Sequence, residues 1–239
     1  LTLDMLHTHA AVIIETDAGL PLGLLPPEKA GPRAAFHPES EIGGVVFSDD
    51  FEAEGVGQKP GGSWIAEVKD QTAIVVTEET AVGVGRKSLK FVDTPDSSFW
   101  PFLHRSVAPF RTGKARLTFD LRVDEGATCL LEIRYEGKGP GPSVRFDGDK
   151  GVVSIGGREL MKLTPGVWNN VMVDFTLGVA DPKYSLTVTP AGQDPQIFAD
   201  LPYASEWFFL CNSVYFVGAG EKSGVFYLDN IVFERMPTQ

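Results

Sequence analysis

Residues 116–123 (RLTFDLRV) alternate strictly between polar and apolar side chains. In an extended strand, a period of two sends successive side chains to opposite faces, so this segment can bury one face and expose the other. The same alternation recurs over residues 171–177 and 184–188. The three segments therefore predict strands of antiparallel sheets that pack one face against a core.

Turn-forming sequences separate these strand candidates from their neighbours. The chain has 26 glycines and 17 prolines among 239 residues, which exceeds average usage. Residues 124–126 (DEG), 147–149 (DGD) and 164–166 (TPG) are examples, and such turns recur at intervals of about 8 to 14 residues. Only residues 204–210 could form a helical turn. The pattern predicts an all-β fold, an antiparallel β-sandwich of about a dozen strands.

Composition and charge limit the partners. A net charge of −11 argues against nucleic acid and against an anionic membrane surface. It also argues against a strongly acidic polysaccharide, unless basic residues are concentrated locally. No stretch is long and apolar enough to span a bilayer. The two cysteines, Cys129 and Cys211, lack metal-type spacing, which leaves two buried thiols or one disulfide as the alternatives.

The first 44 residues differ from the rest of the chain. Residues 11–14 (AVII) are a strand candidate, and a proline-rich run with linker character follows them. The strand could close a preceding domain or pair with an edge of the main sandwich. Residue 1 is Leu, and no basic start with an apolar region precedes it, so we expect a piece of a longer protein. Residues 1–44 are predicted to be an N-terminal extension, and residues 45–239 the sandwich.

Several short motifs occur in a characteristic order. They are residues 49–52 (DDFE), 85–91 (GRKSLKF), 156–161 (GGRELM), 165–168 (PGVW) and 226–231 (FYLDNI). Together they resemble the concanavalin A-like jelly roll of legume-type lectins, laminarinase-type glucanases and many carbohydrate-binding modules. They look most like the accessory sandwich domains appended to bacterial polysaccharide-degrading enzymes.

The resemblance implies a function and a cellular location. It implies a non-catalytic domain that binds a polysaccharide or oligosaccharide beside the catalytic domain of a secreted or periplasmic bacterial protein.

The acidic motifs also suggest a structural calcium ion. A carboxylate in an otherwise apolar strand costs several kcal/mol unless it is paired, and oxygen-rich clusters commonly coordinate calcium. By position in the resembling modules, the ligands would be Asp50, Glu52, Asp229 and a backbone carbonyl near Lys87. The alternative is that Asp49 and Asp50 are turn residues and Asp229 makes backbone hydrogen bonds.

A sugar-binding face can be predicted from alternation and from flat aromatic rings, which pack against sugar C–H groups. The candidate ligand-binding residues are Trp100, Phe102, His104, Glu132, Arg134 and Arg145. Phe102 and His104 share one strand face, and Glu132 and Arg134 share another. Trp64 and Trp168 are assigned to the core.

No catalytic set is predicted. The Glu-x-Asp-x-x-Glu strand of laminarinase-type enzymes is absent, as are the Gln-Ile-His and Tyr-x-Lys-x-Gly-x-Tyr patterns of jelly-roll lyases. Three hypotheses remain: a carbohydrate-binding domain, a structural or interaction domain that packs on its parent enzyme, and a hydrolase or lyase with atypical residues. Glu132, Arg134 and His104 are the trio that the third hypothesis would use.

Overall fold

The computed structural model describes residues 43–95 and 97–237, and within these ranges the chain forms fifteen strands and no helix. The strands are β1 Gly44–Asp49, β2 Trp64–Glu67, β3 Ala73–Thr77, β4 Ser88–Asp93, β5 Phe102–Phe110, β6 Gly113–Val123, β7 Thr128–Tyr135, β8 Gly139–Asp147, β9 Val152–Ile155, β10 Arg158–Lys162, β11 Trp168–Leu177, β12 Lys183–Pro190, β13 Gln196–Pro202, β14 Cys211–Gly218 and β15 Gly224–Met236. In this part of the chain no helix exists that could cross a membrane.

The strands form two antiparallel sheets. The eight-stranded sheet has the order β13-β12-β11-β6-β15-β4-β3, with β1 also paired to β15. The seven-stranded sheet has the order β10-β9-β8-β7-β14-β5-β2. The predicted all-β sandwich is confirmed. The structure has fifteen strands where about a dozen were predicted. The additional ones include short edge strands such as β2 and β10, whose four or five residues are too few for a clear alternation signal.

The core lies between the two sheets, as the alternation predicted. Leu117, Phe119 and Leu121 of β6 are fully buried and face the seven-stranded sheet. Phe119 meets Phe216 of β14 edge to face, with ring centroids 5.0 Å apart. Edge-to-face aromatic pairs add to the free energy of area burial, so this contact helps to hold the two sheets together.

The first and last described strands are neighbours. Strand β1 pairs with β15 through a backbone ladder in which Asp49 lies opposite Ile231. The Asp49 carboxylate also accepts a hydrogen bond of 2.8 Å from the Trp64 indole nitrogen. The backbone ladder therefore joins the first and last described strands, and the side-chain hydrogen bond joins β1 to β2 of the other sheet.

One of the two tryptophan assignments is wrong. Trp64 is buried in the core as predicted, whereas Trp168 is half-buried on the outer face of the eight-stranded sheet. Asn169 and Val171 point into the core from the same strand, so alternation sends Trp168 outward. There its indole nitrogen donates to Thr80 Oγ1 at 3.0 Å.

Cys129 and Cys211 are both free and buried. Cys129 pairs with Gly218 at one end of β14, and Cys211 begins the same strand at its other end. Seven residues of extended strand separate these two positions, far more than a disulfide can span. Burial raises the pKa of both thiols, so neither is poised to react.

Residues 1–42 of the predicted N-terminal extension, with its strand candidate at residues 11–14, lie outside the described residues, whereas Gly44 already belongs to β1. The domain boundary after residue 44 stays a prediction.

Candidate functional site

The candidate site is the outer face of the seven-stranded sheet, meaning the side chains that point away from the eight-stranded sheet. Five of the six predicted sugar-binding residues lie on it: Phe102, His104, Glu132, Arg134 and Arg145. They alternate with fully buried neighbours such as Leu103, Leu131 and Val144, and this alternation fixes their outward direction.

Strand register gathers these residues into two cross-strand rows. In the first row His104 of β5, Tyr215 of β14, Glu132 of β7 and Ser143 of β8 are successive partners. In the second row the partners are Phe102, Val217, Leu130 and Arg145. Phe102 and His104 were predicted on one strand face, and Glu132 and Arg134 on another. The two pairs belong to one surface, because β14 lies between β5 and β7.

Aromatic rings cover one part of this face. The rings of His104 and Tyr215 stack at 4.7 Å with an interplanar angle of 13°. Phe102 lies 6.0 Å from Tyr215 and 4.8 Å from Trp100, which thus joins the cluster from the preceding loop. Trp100, Phe102 and His104 are half-buried, so their rings remain partly open to a ligand.

Charged groups surround the rings. The Arg134 guanidinium lies 4.9 Å from the centre of the Tyr215 ring, and its Nε is 3.5 Å from Glu132 Oε2. Glu136, just after β7, accepts hydrogen bonds from the Tyr215 hydroxyl at 2.8 Å and from Ser213 Oγ at 3.2 Å. These contacts fix Tyr215 between a cation and a carboxylate.

The protonation of the site follows from burial. Burial raises the pKa of Glu132, and the charge of Arg134 opposes that rise. Burial lowers the pKa of His104, while the charges of Glu136 and Glu67 act in the opposite direction. Burial, the hydrogen bond to Glu136 and nearby negative charge raise the pKa of Tyr215 to about 12. Among the described residues His104 Nδ1 has no hydrogen-bond partner.

Arg145 lies between two depressions next to the aromatic cluster. One has a volume of about 430 Å³ and is lined by Leu130, Ser143 and Ser154 among others. The other measures about 320 Å³ and is lined by Phe99 and Glu221 among others. Both include Arg145 in their walls. Its guanidinium donates to the Ala219 carbonyl at 3.0 Å and pairs with Asp147 at 3.4 Å.

A further depression of about 410 Å³ lies on the outer face of the eight-stranded sheet. Its wall contains the pair Arg116 and Asp174, which is bidentate at 2.7 and 3.1 Å. That arginine has the same fractional side-chain exposure as Arg134, 32%, and therefore provides a matched comparison for it.

The predicted calcium ligands make hydrogen bonds within the protein. Asp50 is exposed and accepts a bond from the Glu52 amide at 3.2 Å, as a turn residue would. Glu52 Oε1 accepts from the Arg86 and Lys87 amides at 2.7 and 2.8 Å, and these bonds lower the pKa of Glu52. The Lys87 ammonium donates to the Glu52 and Glu54 carbonyls.

Asp229 is the most buried member of this set. It accepts hydrogen bonds from the Val82 and Asn230 amides at 3.1 and 2.8 Å. Burial, helped by the negative charges of Asp120 and Glu52, raises its pKa to about 6, although the two backbone hydrogen bonds act in the opposite direction. Asp120 lies directly opposite Asp229 on β6. Like charges placed opposite each other across a ladder are destabilising, so Asp120 disfavours the ionised form of Asp229.

Within residues 43–95 and 97–237, no three or more Asp, Glu, His or Cys side chains converge as a set that could hold a metal. Glu52 and Asp229 would provide two carboxylates, and calcium needs six or more oxygens. The remaining ligands would have to be backbone carbonyls and water.

Several residues of the site have no recognisable signal in the sequence. Tyr215 lies in an almost continuous apolar run, residues 214–217 (VYFV), where alternation gives no signal. Alternation gives no signal for Glu67 and Glu136 either, because Glu67 ends a four-residue edge strand and Glu136 lies in a turn. Only the pairing of β2, β5, β14 and β7 brings these three residues together.

No protein-family model matches the chain, and no curated protein matches it significantly. Solved structures do resemble it. The carbohydrate esterase vb_24B_21 from the Shiga toxin-encoding bacteriophage phi24B has a TM-score of 0.51 at 12% identity, over 81% of this chain and 99% of that chain. The CBM22-1 xylan-binding domain of Paenibacillus barcinonensis Xyn10C has a TM-score of 0.41 at 16% identity, over 84% and 99%. The lectin UEA-II, solved with galactose, has a TM-score of 0.48 at 10% identity, over 81% and 100%.

At these identities the similarity concerns the fold alone. That fold is an antiparallel β-sandwich of the concanavalin A-like jelly-roll type, so the predicted fold is confirmed. The residues that act on a ligand have to be argued from this chain's own outer face.

Proposed function

We propose that this domain is a non-catalytic carbohydrate-binding domain whose ligand lies along the outer face of the seven-stranded sheet. The observation that carries the proposal is the convergence of Phe102, His104, Tyr215 and Arg134 from three strands distant in sequence. Partly exposed rings pack against the C–H faces of sugars, and guanidinium groups donate paired hydrogen bonds to sugar oxygens. The two depressions beside Arg145 extend the surface over several sugar units.

Affinity electrophoresis in gels that contain soluble polysaccharides tests this proposal. Replacing Arg134 by Ala is expected to weaken binding about 10- to 100-fold, because a charge-assisted hydrogen bond contributes about 1.5–3 kcal/mol. Arg116→Ala is the matched control, since it removes an equally exposed arginine that also pairs with a carboxylate, from the other sheet. We expect it to leave migration unchanged. Binding of the wild type to no polysaccharide would contradict the proposal and favour a structural domain that packs on its parent enzyme.

A second candidate is a hydrolase or lyase, and one specific observation favours it. Glu132, Arg134 and His104 lie on the same face, and burial raises the pKa of Glu132, which suits a proton donor. If the domain cleaves its ligand, Glu132→Gln should reduce product formation about 100-fold or more while binding persists. Release of reducing ends or of unsaturated sugars measures this. Equal product from wild type and variant would exclude Glu132 as the acid.

We also propose a structural calcium ion held by Glu52 and Asp229, completed by backbone carbonyls and water. Its support is the buried Asp229 carboxyl group, on which the negative charges of Asp120 and Glu52 act. When bound, the ion would offset this repulsion and couple folding to metal. Finally, we propose that the domain belongs to a secreted or periplasmic bacterial glycan-processing protein. The support for this is the jelly-roll fold and the proposed ligand class.

A further inference from the structure

The charges on the outer face are unevenly compensated. Seven charged side chains point outward from β2, β5, β14, β7 and β8 or are exposed in the turn after β7: Glu67, Glu132, Arg134, Glu136, Lys138, Arg145 and Asp147. Four are acidic and three are basic. The face of this acidic protein is therefore itself net negative.

Each arginine already has a carboxylate partner. Arg134 pairs with Glu132 at 3.5 Å, and Arg145 pairs with Asp147 at 3.4 Å. An anionic ligand group would have to displace a built-in carboxylate from either guanidinium. An uncharged hydroxyl can instead accept from the remaining N–H groups, because the guanidinium carries five donors.

The uncompensated carboxylates flank the ring cluster. Glu67 is exposed at the end of β2, opposite Phe102. Glu136 is held against Tyr215 and Ser213 by hydrogen bonds with hydroxyl groups, which leave its charge in place. The negative charges of both residues act on His104, so their field reaches the centre of the cluster.

Building on the proposed function, we infer that the ligand is an uncharged glycan and that Glu67 and Glu136 exclude chains of uronic acids or other anionic sugars. A ligand carboxylate placed over the rings would lie between Glu67 and Glu136. Both arginines on those five strands are already paired, so no free cation on these strands would offset its charge. Repulsion of this kind is a specificity device, because it rejects a competing ligand without adding contacts to the correct one.

Paired polysaccharides that share one backbone test the inference by affinity electrophoresis. We would use hydroxyethylcellulose with carboxymethylcellulose, arabinoxylan with glucuronoxylan, and laminarin with carboxymethyl-curdlan. The wild type is expected to bind the neutral member of a pair about tenfold or more tightly, and the preference should shrink at about 0.5 M salt because salt screens exposed charges.

The double variant Glu67→Gln/Glu136→Gln is expected to bind the anionic member about tenfold more tightly at low salt, with neutral binding changed by less than about twofold. Glutamine retains an acceptor for Tyr215 and Ser213. The control Glu78→Gln/Glu125→Gln removes the same net charge from exposed sites on other loops and should have no effect. The inference is overturned if the wild type prefers the anionic members or if both double variants respond alike. Retention on no polymer at all overturns the proposed function, and the inference with it.

Discussion

Replacing Phe216 by alanine is expected to lower the free energy of unfolding by about 3 to 5 kcal/mol. The side chain is fully buried. It meets Phe119 of the opposite sheet edge to face at 5.0 Å and lies 6.5 Å from the Trp64 ring. Truncation removes the packing contacts of the buried ring and leaves a cavity between the two sheets. The cavity cannot close unless both sheets move.

Urea denaturation followed by tryptophan fluorescence measures this effect. Phe99→Ala is the control, because its ring is 63% exposed, and we expect a change within about 1 kcal/mol. Phe216 also lies between Tyr215 and Val217, so a folded Phe216→Ala variant should bind glycan more weakly. A loss of stability no larger than that of Phe99→Ala would contradict the described packing of the two sheets.

The second large effect concerns Asp229 and depends on pH. Burial raises its pKa from the ordinary value of 3.8 to about 6. At pH values between these two pKa values, the Asp229 carboxyl group is therefore mostly protonated in the folded state and mostly ionised in the unfolded state. The contribution of Asp229 to the stability of the wild type therefore falls as the pH rises through this window. Above it, the charged side chain costs up to about 3 kcal/mol.

Asp229→Asn removes this cost. In EDTA the variant should match the wild type near pH 3.5 and become more stable by up to about 3 kcal/mol at pH 7. Only the difference between the two proteins is diagnostic, because other groups act in the opposite direction. Glu79, for example, has a pKa lowered by Lys90, so its contribution is lost as the pH falls.

Calcium distinguishes the two accounts of Asp229. If Glu52 and Asp229 bind the ion, millimolar calcium should stabilise the wild type at pH 7 and leave Asp229→Asn unchanged, which reverses their order. Unfolding curves with calcium and with EDTA give the comparison. Identical curves for the wild type would exclude the ion and leave Asp229 as a buried acid that backbone amides solvate.

The fold could be predicted because its signals are local. Alternation in residues 116–123 places Leu117, Phe119 and Leu121 in the core, and all three are fully buried. The same rule applied to Trp168 would have corrected its assignment, since Val171 and Asn169 face inward on that strand. The assignment of Trp168 to the core gave more weight to the usual burial of tryptophan than to the alternation along the strand, and the alternation predicts the correct face.

The site could be predicted only in parts. Phe102 with His104, and Glu132 with Arg134, were placed correctly within their strands. What the sequence could not provide is strand order, because the pairing of β14 with both β5 and β7 joins segments about 80 to 110 residues apart. Asp120 illustrates the same limit, since nothing near it in sequence indicates that Asp229 lies opposite.

The location of a bound glycan tests the central claim most directly. An oligosaccharide of whichever polymer retards the wild type should be titrated into ¹⁵N-labelled protein and followed by NMR. The account predicts that the largest shifts occur at the amides of Phe102, His104, Tyr215 and Glu132 on the seven-stranded sheet. Shifts confined to the depression around Arg116 and Asp174 on the other sheet would contradict it.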